Sequence, residues 1–429
     1  MVYTMLDIKF IRDNPDIVKE NMKRKGMEAQ LNLVDDLLKK DEDYRKLLQE
    51  AEKLRHQRNE VTGKINETKK SGGDITDLLN QAKEIPHKIK ETEETLKSTK
   101  EEVRSLIGQV PNIMHDSVPE GKDDSENVEI KKWGEPKKFG FPVKNHVELC
   151  EKLNIADFDA SAKTSGNGFY FLKGPLGLLN QALVRFATDH MLQKGFTYVE
   201  PPLMIHKSIL AAAMDVEGFK QSIYQTDDDD LCMIGTSEHA LLGIHANDAI
   251  AENDLPKKYF AYSMCFRKEI GSHGINEKGL WRTHQFNKVE MFVFCRPEDS
   301  YAYYDKMLDI SEEVMQALGL PYRLLECCSG DLSLWKSKSV DVEVWRPTTE
   351  EYGEVMSLSN CTDFQAKDLG IRVIRNDGTR ETLHTLNNTV LATSRIMVAI
   401  LENYQEEDGS ITIPDVLRPY MNNMERIGP

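Results

Sequence analysis

The segment FRKEIGSHGINEKGLWRTHQFNKVE, residues 266–290, decides the fold of the larger part of this chain. Apolar and aromatic residues lead into it from Tyr259 and out of it to Cys295, in the short pattern of two β-strands. The loop between these strands contains three glycines, Gly271, Gly274 and Gly279. Consecutive strands around a glycine-rich loop favour antiparallel pairing. Because helix-like segments such as residues 394–405 alternate with strands, we predict an α+β domain.

The first strand carries a small face that ends in charge. Side-chain alternation places Ala261, Ser263, Cys265, Arg267 and Glu269 on one side of it. The small side chains of this surface leave room for a ligand. Arg267 can donate two hydrogen bonds to a phosphate, and Glu269 can accept one from an amino group. An exposed strand end with a surface ion pair explains the same residues equally well.

The return strand places Phe286, Lys288 and Glu290 on one face. A carboxylate among aromatic residues is costly unless it is paired. Glu290 therefore has either an ion-pair partner in the core or a cationic ligand such as an α-ammonium group. Phe286 could stack on a base, although a phenylalanine in a strand is more often part of the core. Neither common phosphate-binding glycine loop is present in the sequence, so ATP would need another mode of binding.

Residues 31–110 are rich in Lys, Glu, Gln and Leu, a composition typical of long helices. Apolar residues recur every three, four or seven positions, at Leu47, Ala51, Leu54, Val61 and Ile65, then at Ala82, Ile85, Ile89, Leu96 and Val103. The turn signal Ser71-Gly72-Gly73-Asp74 separates the two stripes and predicts an antiparallel coiled-coil hairpin. Pro86 predicts a kink or a local opening.

The two legs of this hairpin differ in charge, the first being basic and the second richer in Glu. A solvated, salt-bridged coiled coil is the simplest reading of such a segment. The net charge of −16 argues against a chain whose whole surface attracts nucleic acid, so any phosphate contact must be local. The basic first leg is where we expect it.

Length and composition give three parts: residues 1–110 with the hairpin, 111–144 as a Pro- and Gly-rich linker and domain entry, and 145–429 as the body.

The seven cysteines form no C-x-x-C pair and are expected to be reduced thiols without structural zinc. Cys327 and Cys328 could join a histidine at a metal, but two buried thiols explain them better. The N-terminus does not resemble a signal peptide and no long apolar run follows, so we expect a cytoplasmic protein without a membrane partner.

Residues 266–290 resemble the second signature motif of class II aminoacyl-tRNA synthetases, in its seryl form. GTSEHALLGIHAND (235–248) is similar to the serine-binding segment of that family, and FTYVEPPLM (196–204) to its first motif, at a dimer interface. HTLNNTVLATSRIMVAILENYQ (384–405) and DGSITIPDVLRPYM (408–421) resemble the third motif and the seryl C-terminus. SLSNCTDFQAKDLGIR (357–372) and the hairpin resemble the same family. The resemblance implies a class II catalytic domain on a mixed, mainly antiparallel sheet flanked by helices.

The resemblance implies a serine–tRNA ligase that forms seryl-adenylate from L-serine and ATP and transfers serine to the 3' end of tRNA(Ser). It also implies a homodimer, Mg²⁺ held by Glu354 and Ser357, a hairpin that binds tRNA, and charging of selenocysteine tRNA where that tRNA is present. Catalytic roles fall to Arg267, Glu269 and Arg395. The implied ATP-binding residues are Arg267, Lys268, Glu269, Arg282, Phe286, Glu354, Val355, Met356, Ser357 and Arg395. The implied serine-binding residues are Thr236, Ser237, Glu238, Arg267, Glu290, Asn387 and Thr389.

Several of these residues have a simpler structural explanation when they are considered alone. Thr236-Ser237-Glu238 is a common helix N-cap with an acidic first turn. Arg395 shares a helical stripe with Leu391, Val398 and Glu402 and could reach Glu402. The sequence also departs from the commonest bacterial pattern at Lys278, Met356, Lys367-Asp368 and Asn388-Thr389, the last of which resembles archaeal members.

Two other functions fit parts of the sequence. A paralogue that transfers seryl or glycyl adenylate to a carrier protein would lack the hairpin, which this chain has. A non-catalytic tRNA-binding protein on the same scaffold would be expected to lose some of the charged motif residues, yet Arg267, Glu269, Glu354 and Arg395 are all present.

Overall fold

A computed structural model describes residues 6–214, 222–227, 230–270 and 278–428. The loop glycines Gly271 and Gly274 lie outside the described residues. The chain divides into two compact units, one within residues 5–111 and the other from Asn112 onward. In the described ranges, no helix is both long enough and apolar enough to cross a bilayer.

The helices of the first unit are α1 (Ile8–Asp13), α2 (Pro15–Arg24), α3 (Asn32–Lys70) and α4 (Thr76–Ile107). Those of the second unit are α5 (His146–Leu153), α6 (Phe158–Ser165), α7 (Gly174–Gln193), α8 (Lys207–Leu210), α9 (Ser237–Gly243), α10 (Ser300–Ala317), α11 (Phe364–Asp368) and α12 (Thr393–Asn403).

The strands of the second unit are β1 (Val128–Trp133), β2 (Ala156–Asp157), β3 (Phe171–Leu172), β4 (Thr197–Tyr198), β5 (Met204–His206), β6 (Leu231–Met233), β7 (Ala249–Ala251), β8 (Lys257–Phe266), β9 (Gln285–Cys295), β10 (Tyr322–Glu326), β11 (Lys338–Arg346), β12 (Glu351–Thr362), β13 (Arg372–Ile374), β14 (Arg380–Thr382), β15 (His384–Ala392), β16 (Ile411–Thr412) and β17 (Arg426–Ile427).

Helices α3 and α4 form the antiparallel hairpin that the sequence predicts. The apolar stripe is buried or half-buried along both legs, with Val61, Ile85 and Ile89 in its tightest cluster. Ion pairs between the legs run in antiparallel order, from Lys40–Glu102 near the base to Arg55–Glu93 farther along. Helix α4 continues through Pro86 without interruption.

The hairpin turn follows the glycine and aspartate signal in the sequence. Gly72 adopts a positive φ of 72°, which glycine tolerates without steric cost. Asp74 Oδ1 then accepts from the backbone N–H of Thr76 at 2.9 Å and from its hydroxyl at 2.6 Å. The turn therefore ends one helix and caps the next.

An eight-stranded sheet in the order β1-β10-β11-β12-β15-β9-β8-β4 organises the second unit. Its neighbours pair antiparallel except β4 and β8, which pair parallel, so the sheet is mixed and mainly antiparallel as expected. Strand β1 is one of the two edge strands of this sheet, so part of the predicted linker region lies in the sheet.

Alternating side chains divide β9 between two environments. Val289, Met291 and Val293 lie in the main core, which also contains residues of α7, α10 and α12. Phe292 and Phe294 lie in a second apolar cluster with Ala261 and Leu242 of α9. Charged side chains of β9 share this second face, so the site forms on the side of the sheet opposite the main core.

Candidate active site

Two adjoining pockets lie on this side of the sheet. The first pocket is lined mainly by Arg267, Glu269, Trp281, Arg282, Phe286, Val355 and Arg395. The second pocket is lined mainly by Thr236, Glu238, Glu290, Trp335, Lys336, Ser357 and Asn387. The two pockets share Arg267, Glu269, Lys288, Glu354 and Thr389. The strand pair β8–β9 and the neighbouring strands β12 and β15 thus bring most of the predicted site residues together.

Arg267 and Phe286 form one wall of the first pocket. The Arg267 guanidinium lies 5.2 Å from the centre of the Phe286 ring, and its Nε donates to the Gly235 carbonyl at 3.1 Å. Arg282 pairs with Glu269 Oε2 at 3.0 Å. A ring face and charged groups of both signs suit a planar base that carries phosphates.

Arg395 turns towards the pocket rather than along its own helix. Its NH1 donates to the backbone carbonyl of Glu354 at 2.7 Å and to Glu354 Oε2 at 3.2 Å. The idea that Arg395 reaches Glu402 is wrong, because Glu402 instead accepts from Arg346 and Thr348. Leu391, which we placed on the same helical stripe, lies on β15. Although burial opposes the effect, Arg395 holds the pKa of Glu354 below its ordinary value.

Glu290 is buried and paired. Its Oε2 lies 2.5 Å from Lys288 Nζ, and Lys288 also donates to Thr236 Oγ1 at 3.3 Å. The ion-pair explanation of Glu290 is therefore confirmed, and because Glu290 also lines the second pocket, the cationic-ligand explanation stays a prediction. Burial raises the pKa of Glu290, and burial together with the nearby Glu290 charge raises that of Glu238. A cation placed between these carboxylates would stabilise both charged forms.

Glu238 is held in place by amide donors. Gln365 donates to its Oε1 at 3.0 Å and Asn387 at 3.1 Å. Thr236 is the N-cap of α9 and accepts from the Glu238 N–H at 3.3 Å. The N-cap explanation is thus also correct, and capping fixes the orientation of two side chains that line the second pocket.

The register of β11 and β12 places a second carboxylate beside the Glu354 and Ser357 pair. Asp341 lies directly opposite Ser357, and Glu343 lies opposite Glu354. The buried Oδ1 of Asp341 has no hydrogen-bond partner among the described residues. Glu354, Ser357 and Asp341 therefore present carboxylate and hydroxyl oxygens, the donors that Mg²⁺ prefers.

Three of the implied site residues do not place their side chains in either pocket. Ser237 is fully buried, and its hydroxyl donates to the Ala261 carbonyl at 3.4 Å. Met356 packs in the main core, because it alternates with the pocket-facing Ser357 on β12. Lys268 lies over the Tyr224 ring at 5.9 Å. These three side chains are therefore not placed to contact a ligand in either pocket.

Among the departures from the bacterial pattern, Thr389 lines both pockets, whereas Asn388 and Lys278 line neither. Asn388 donates to the Met307 carbonyl at 3.0 Å and to the Ser311 hydroxyl at 2.7 Å, both on α10. Its neighbour Thr389 faces both pockets. Lys278 pairs with Glu151 at 2.7 Å and Asp159 at 3.0 Å. The Asn388 change therefore supports helix packing and leaves the pocket surface to Thr389.

Sequence reasoning missed Lys336, Trp335 and Asp341. They belong to the run LWKSKSVD, residues 334–341, which leads into β11. The only available signal was a lysine and an aromatic residue immediately before an alternating strand, a pattern too common to identify a site. Strand order, which the sequence does not give, brings this run beside α9 and β12.

Two family models match the chain. The tRNA synthetase class II core domain (G, H, P, S and T) matches residues 219–404, and the seryl-tRNA synthetase N-terminal domain matches residues 5–114. The serine–tRNA ligase of Methanoregula boonei is 46% identical over 98% of this chain and 100% of its own length. That of Nitrosopumilus maritimus is 39% identical over 99% of this chain and 100% of its own length.

Solved structures agree over nearly the whole chain. The crystal structure of seryl-tRNA synthetase from Pyrococcus horikoshii complexed with ATP has a TM-score of 0.92 and 41% identity, covering 99% of this chain and 100% of that one. The cytoplasmic serine–tRNA ligase from Naegleria fowleri in complex with AMP has a TM-score of 0.87 and 30% identity, covering 99% of each chain.

Proposed function

This chain belongs to the seryl-tRNA synthetase family, and from that premise we propose how its pockets and its hairpin ligate L-serine to tRNA. The observation that supports this function best is the convergence of Arg267, Glu290, Glu354 and Arg395 on two connected pockets. The first pocket takes ATP and the second takes L-serine. Arg267, which lines both, lies where the two substrates react.

In the first step a carboxylate oxygen of serine attacks the α-phosphorus of ATP. The bond from the α-phosphorus to the bridging oxygen breaks, and pyrophosphate leaves with the electron pair. Arg267 stabilises charge on the α-phosphate, Glu269 accepts from the adenine amino group, and Phe286 and Arg395 hold the two faces of the ring. Positioning and charge stabilisation suffice, so no protein nucleophile is required.

In the second step a hydroxyl of the terminal ribose of tRNA attacks the carbonyl carbon of seryl-adenylate. The ester forms, and AMP leaves. Glu238 and Glu290 hold the serine ammonium group, while Thr389 and Asn387 surround the side chain. A site built from buried polar groups rejects amino acids without a hydroxyl because those groups would lose their partner.

Glu354 and Ser357, with Asp341 beside them, would hold Mg²⁺. This donor set fits a hard cation, since it offers two carboxylates and a hydroxyl, and one carboxylate oxygen is buried without a partner. Bound there, the ion would neutralise charge on the phosphates. Arg395 keeps Glu354 ionised and oriented for this task.

The hairpin is the proposed tRNA-binding element. Several cations near its base are paired, as in Lys40–Glu102 and Arg45–Asp41. Nearer the turn, Lys64, Lys69 and Lys70 are exposed and have no carboxylate within ion-pair distance among the described residues. Unpaired charge of this kind suits contacts to the phosphate backbone of tRNA, with shape supplying selectivity.

A homodimer is part of this proposal. Apolar side chains are exposed on α7 and on β4, which lies in the segment 196–204 that resembles the first motif, with Leu178 45%, Leu192 50% and Tyr198 39% exposed. Such residues are typical of a surface that pairs with a second copy. Light scattering that showed only a 49 kDa particle would exclude the dimer.

The seven cysteines are free thiols, which is consistent with the reducing cytoplasm.

The test is serine-dependent exchange between ATP and pyrophosphate, with threonine, glycine and alanine as competitors, followed by serylation of total tRNA. We expect exchange with serine and charging of both serine tRNA and any selenocysteine tRNA in the pool. Exchange without charging would indicate a ligase that serves a carrier protein. Absence of both would indicate a tRNA-binding protein that has kept its motifs.

A further inference from the structure

Five cationic side chains line the two pockets, namely Arg267, Arg282, Lys288, Lys336 and Arg395. Three of them contact carboxylates, at 3.0 Å for Arg282, 2.5 Å for Lys288 and 3.2 Å for Arg395. Within the described part of the chain, Arg267 and Lys336 have no carboxylate within ion-pair distance. These two side chains therefore have charge available for a ligand.

Arg267 already has a role in the proposed reaction, but Lys336 has none. The Lys336 ammonium has three donor protons, and its one hydrogen bond among the described residues goes to Ser339 Oγ at 3.3 Å. Because its side chain lines the second pocket, unused donors are available to a bound molecule. Leaving such donors without an acceptor would be costly in a half-buried site.

The surroundings keep this ammonium charged. Burial lowers the pKa of Lys336, but the Asp341 carboxylate and, more weakly, Glu238 outweigh it, so the pKa lies above its ordinary value. Glu238 lies at the serine end of the second pocket, and Glu354, which lies beside Asp341, is shared with the first pocket. Lys336 thus lines the same pocket as Glu238, which would bind the amino acid, and as Glu354, which would face the phosphates.

We propose that Lys336 is a substrate-binding residue whose ammonium group donates to the carboxylate of L-serine. This inference rests on the proposed function and deepens it. The serine ammonium would be repelled by Lys336 and has Glu238 and Glu290 as partners. The β- and γ-phosphates have the first pocket, which Lys336 does not line. The attacking carboxylate is the anionic group that must lie between the two ends.

This contact would serve two purposes. It would lower the cost of bringing an anionic carboxylate into a pocket that already holds Glu238, Glu290 and Glu354. It would also fix the carboxylate for attack on the α-phosphorus, beside Arg267, since two donors on one carboxylate restrict its rotation. Lys336 would therefore affect serine binding more than ATP binding.

The experiment compares Lys336→Met with wild-type protein by ATP–pyrophosphate exchange. Loss of a charge-assisted hydrogen bond is expected to raise the KM for serine about tenfold to a hundredfold, with the KM for ATP within about twofold of wild type. L-serinamide, which has the ammonium and hydroxyl groups but no carboxylate, is expected to inhibit wild type and variant equally. Lys336→Arg keeps the charge and is expected to retain most of the serine affinity.

Lys338→Met is the matched control. Lys338 lies two residues farther along the chain, at the start of β11, but its Nζ pairs with Glu326 at 3.0 Å and it does not line either pocket. Its loss should leave both KM values unchanged. A Lys336→Met protein with normal serine KM, or one that binds L-serinamide as poorly as serine, would overturn the inference. Wild-type protein without serine-dependent exchange would instead overturn the proposed function, and this inference with it.

Discussion

Lys288 Nζ lies 2.5 Å from Glu290 Oε2, on the same face of β9, and both residues are buried. The Lys288 ammonium helps the Glu290 carboxylate to ionise inside the second pocket. The same contact partly neutralises the charge of that carboxylate. Glu238 lies near enough to Glu290 for the two carboxylate charges to repel each other, so a second cation beside them would be favourable. The part of the second pocket formed by Glu238 and Glu290 is thus short of positive charge until an ammonium group enters, which is a physical basis for selecting an amino acid.

Glu290→Gln tests this directly. The change keeps the shape and removes the charge, so the serine ammonium loses a counterion and Lys288 is left without its partner. We expect kcat/KM for serine in the exchange reaction to fall about a hundredfold, from the loss of one or two charge-assisted hydrogen bonds. ATP affinity measured by calorimetry should stay within about twofold of wild type, since the first pocket is not lined by Glu290. Equal losses for ATP and serine would contradict the assignment.

Glu354→Gln tests the proposed cation site. A neutral amide is a poorer ligand for Mg²⁺ than a carboxylate. We expect the Mg²⁺ concentration for half-maximal exchange to rise at least tenfold, or roughly 1.4 kcal/mol. Direct Mn²⁺ binding followed by electron paramagnetic resonance should weaken in parallel. Glu351→Gln, at the exposed start of the same strand, is the control. An unchanged Mn²⁺ affinity in Glu354→Gln would exclude Glu354 as a ligand.

The fold was predictable where a single segment determines its own structure. The hairpin stripe and the turn at Gly72 needed only local periodicity, and the two strands around residues 267–284 needed only their alternation. The sequence could not give the order of strands in the sheet. That order places Asp341 opposite Ser357 and brings Lys336 and Glu238 into the lining of one pocket.

The same reasoning explains where side chains within the site differ from what the sequence indicates. Thr236, Ser237 and Glu238 form one contiguous motif, yet the Ser237 hydroxyl donates to the Ala261 carbonyl rather than facing the second pocket. Arg395 was weighed against a partner on its own helix, because helical spacing shows neighbours along one element only. Its actual hydrogen-bond partner, Glu354, lies 41 residues earlier in the chain, on strand β12.

His239 gives a prediction for pH. Burial, reinforced by Arg267 and Lys288, lowers the pKa of His239 to about 3, and its Nδ1 accepts from the Gly235 N–H at 3.3 Å. The unfolded chain binds a proton near pH 6.5 but the folded chain does not, so stability is lost as pH falls below that value. Each pH unit costs about 1.4 kcal/mol of the free energy of unfolding.

The measurement is denaturant unfolding, followed by tryptophan fluorescence, of wild type and His239→Asn at pH 7.5 and 5.0. The variant lacks this titration, so its stability relative to wild type should improve by roughly 2 kcal/mol at the lower pH. His87→Asn is the control, because it removes a histidine whose side chain is 75% exposed rather than buried. No change in the relative stability of His239→Asn would show that the folded protein accepts the proton.

The last prediction concerns the hairpin. Lys64, Lys69 and Lys70 are exposed near the turn, on the basic leg. Replacing all three with Ala should raise the KM for tRNA about tenfold and make the logarithmic salt slope of tRNA binding shallower by about two to three, since up to three phosphate contacts are lost. Exchange without tRNA should be unaffected. The triple variant at Lys83, Lys97 and Lys100 removes the same charge from exposed positions of the second leg and should bind tRNA nearly as wild type does. Equal effects of the two triple variants would mean that net charge alone attracts tRNA, whereas a selective loss from the first leg would identify that leg as the surface that contacts tRNA.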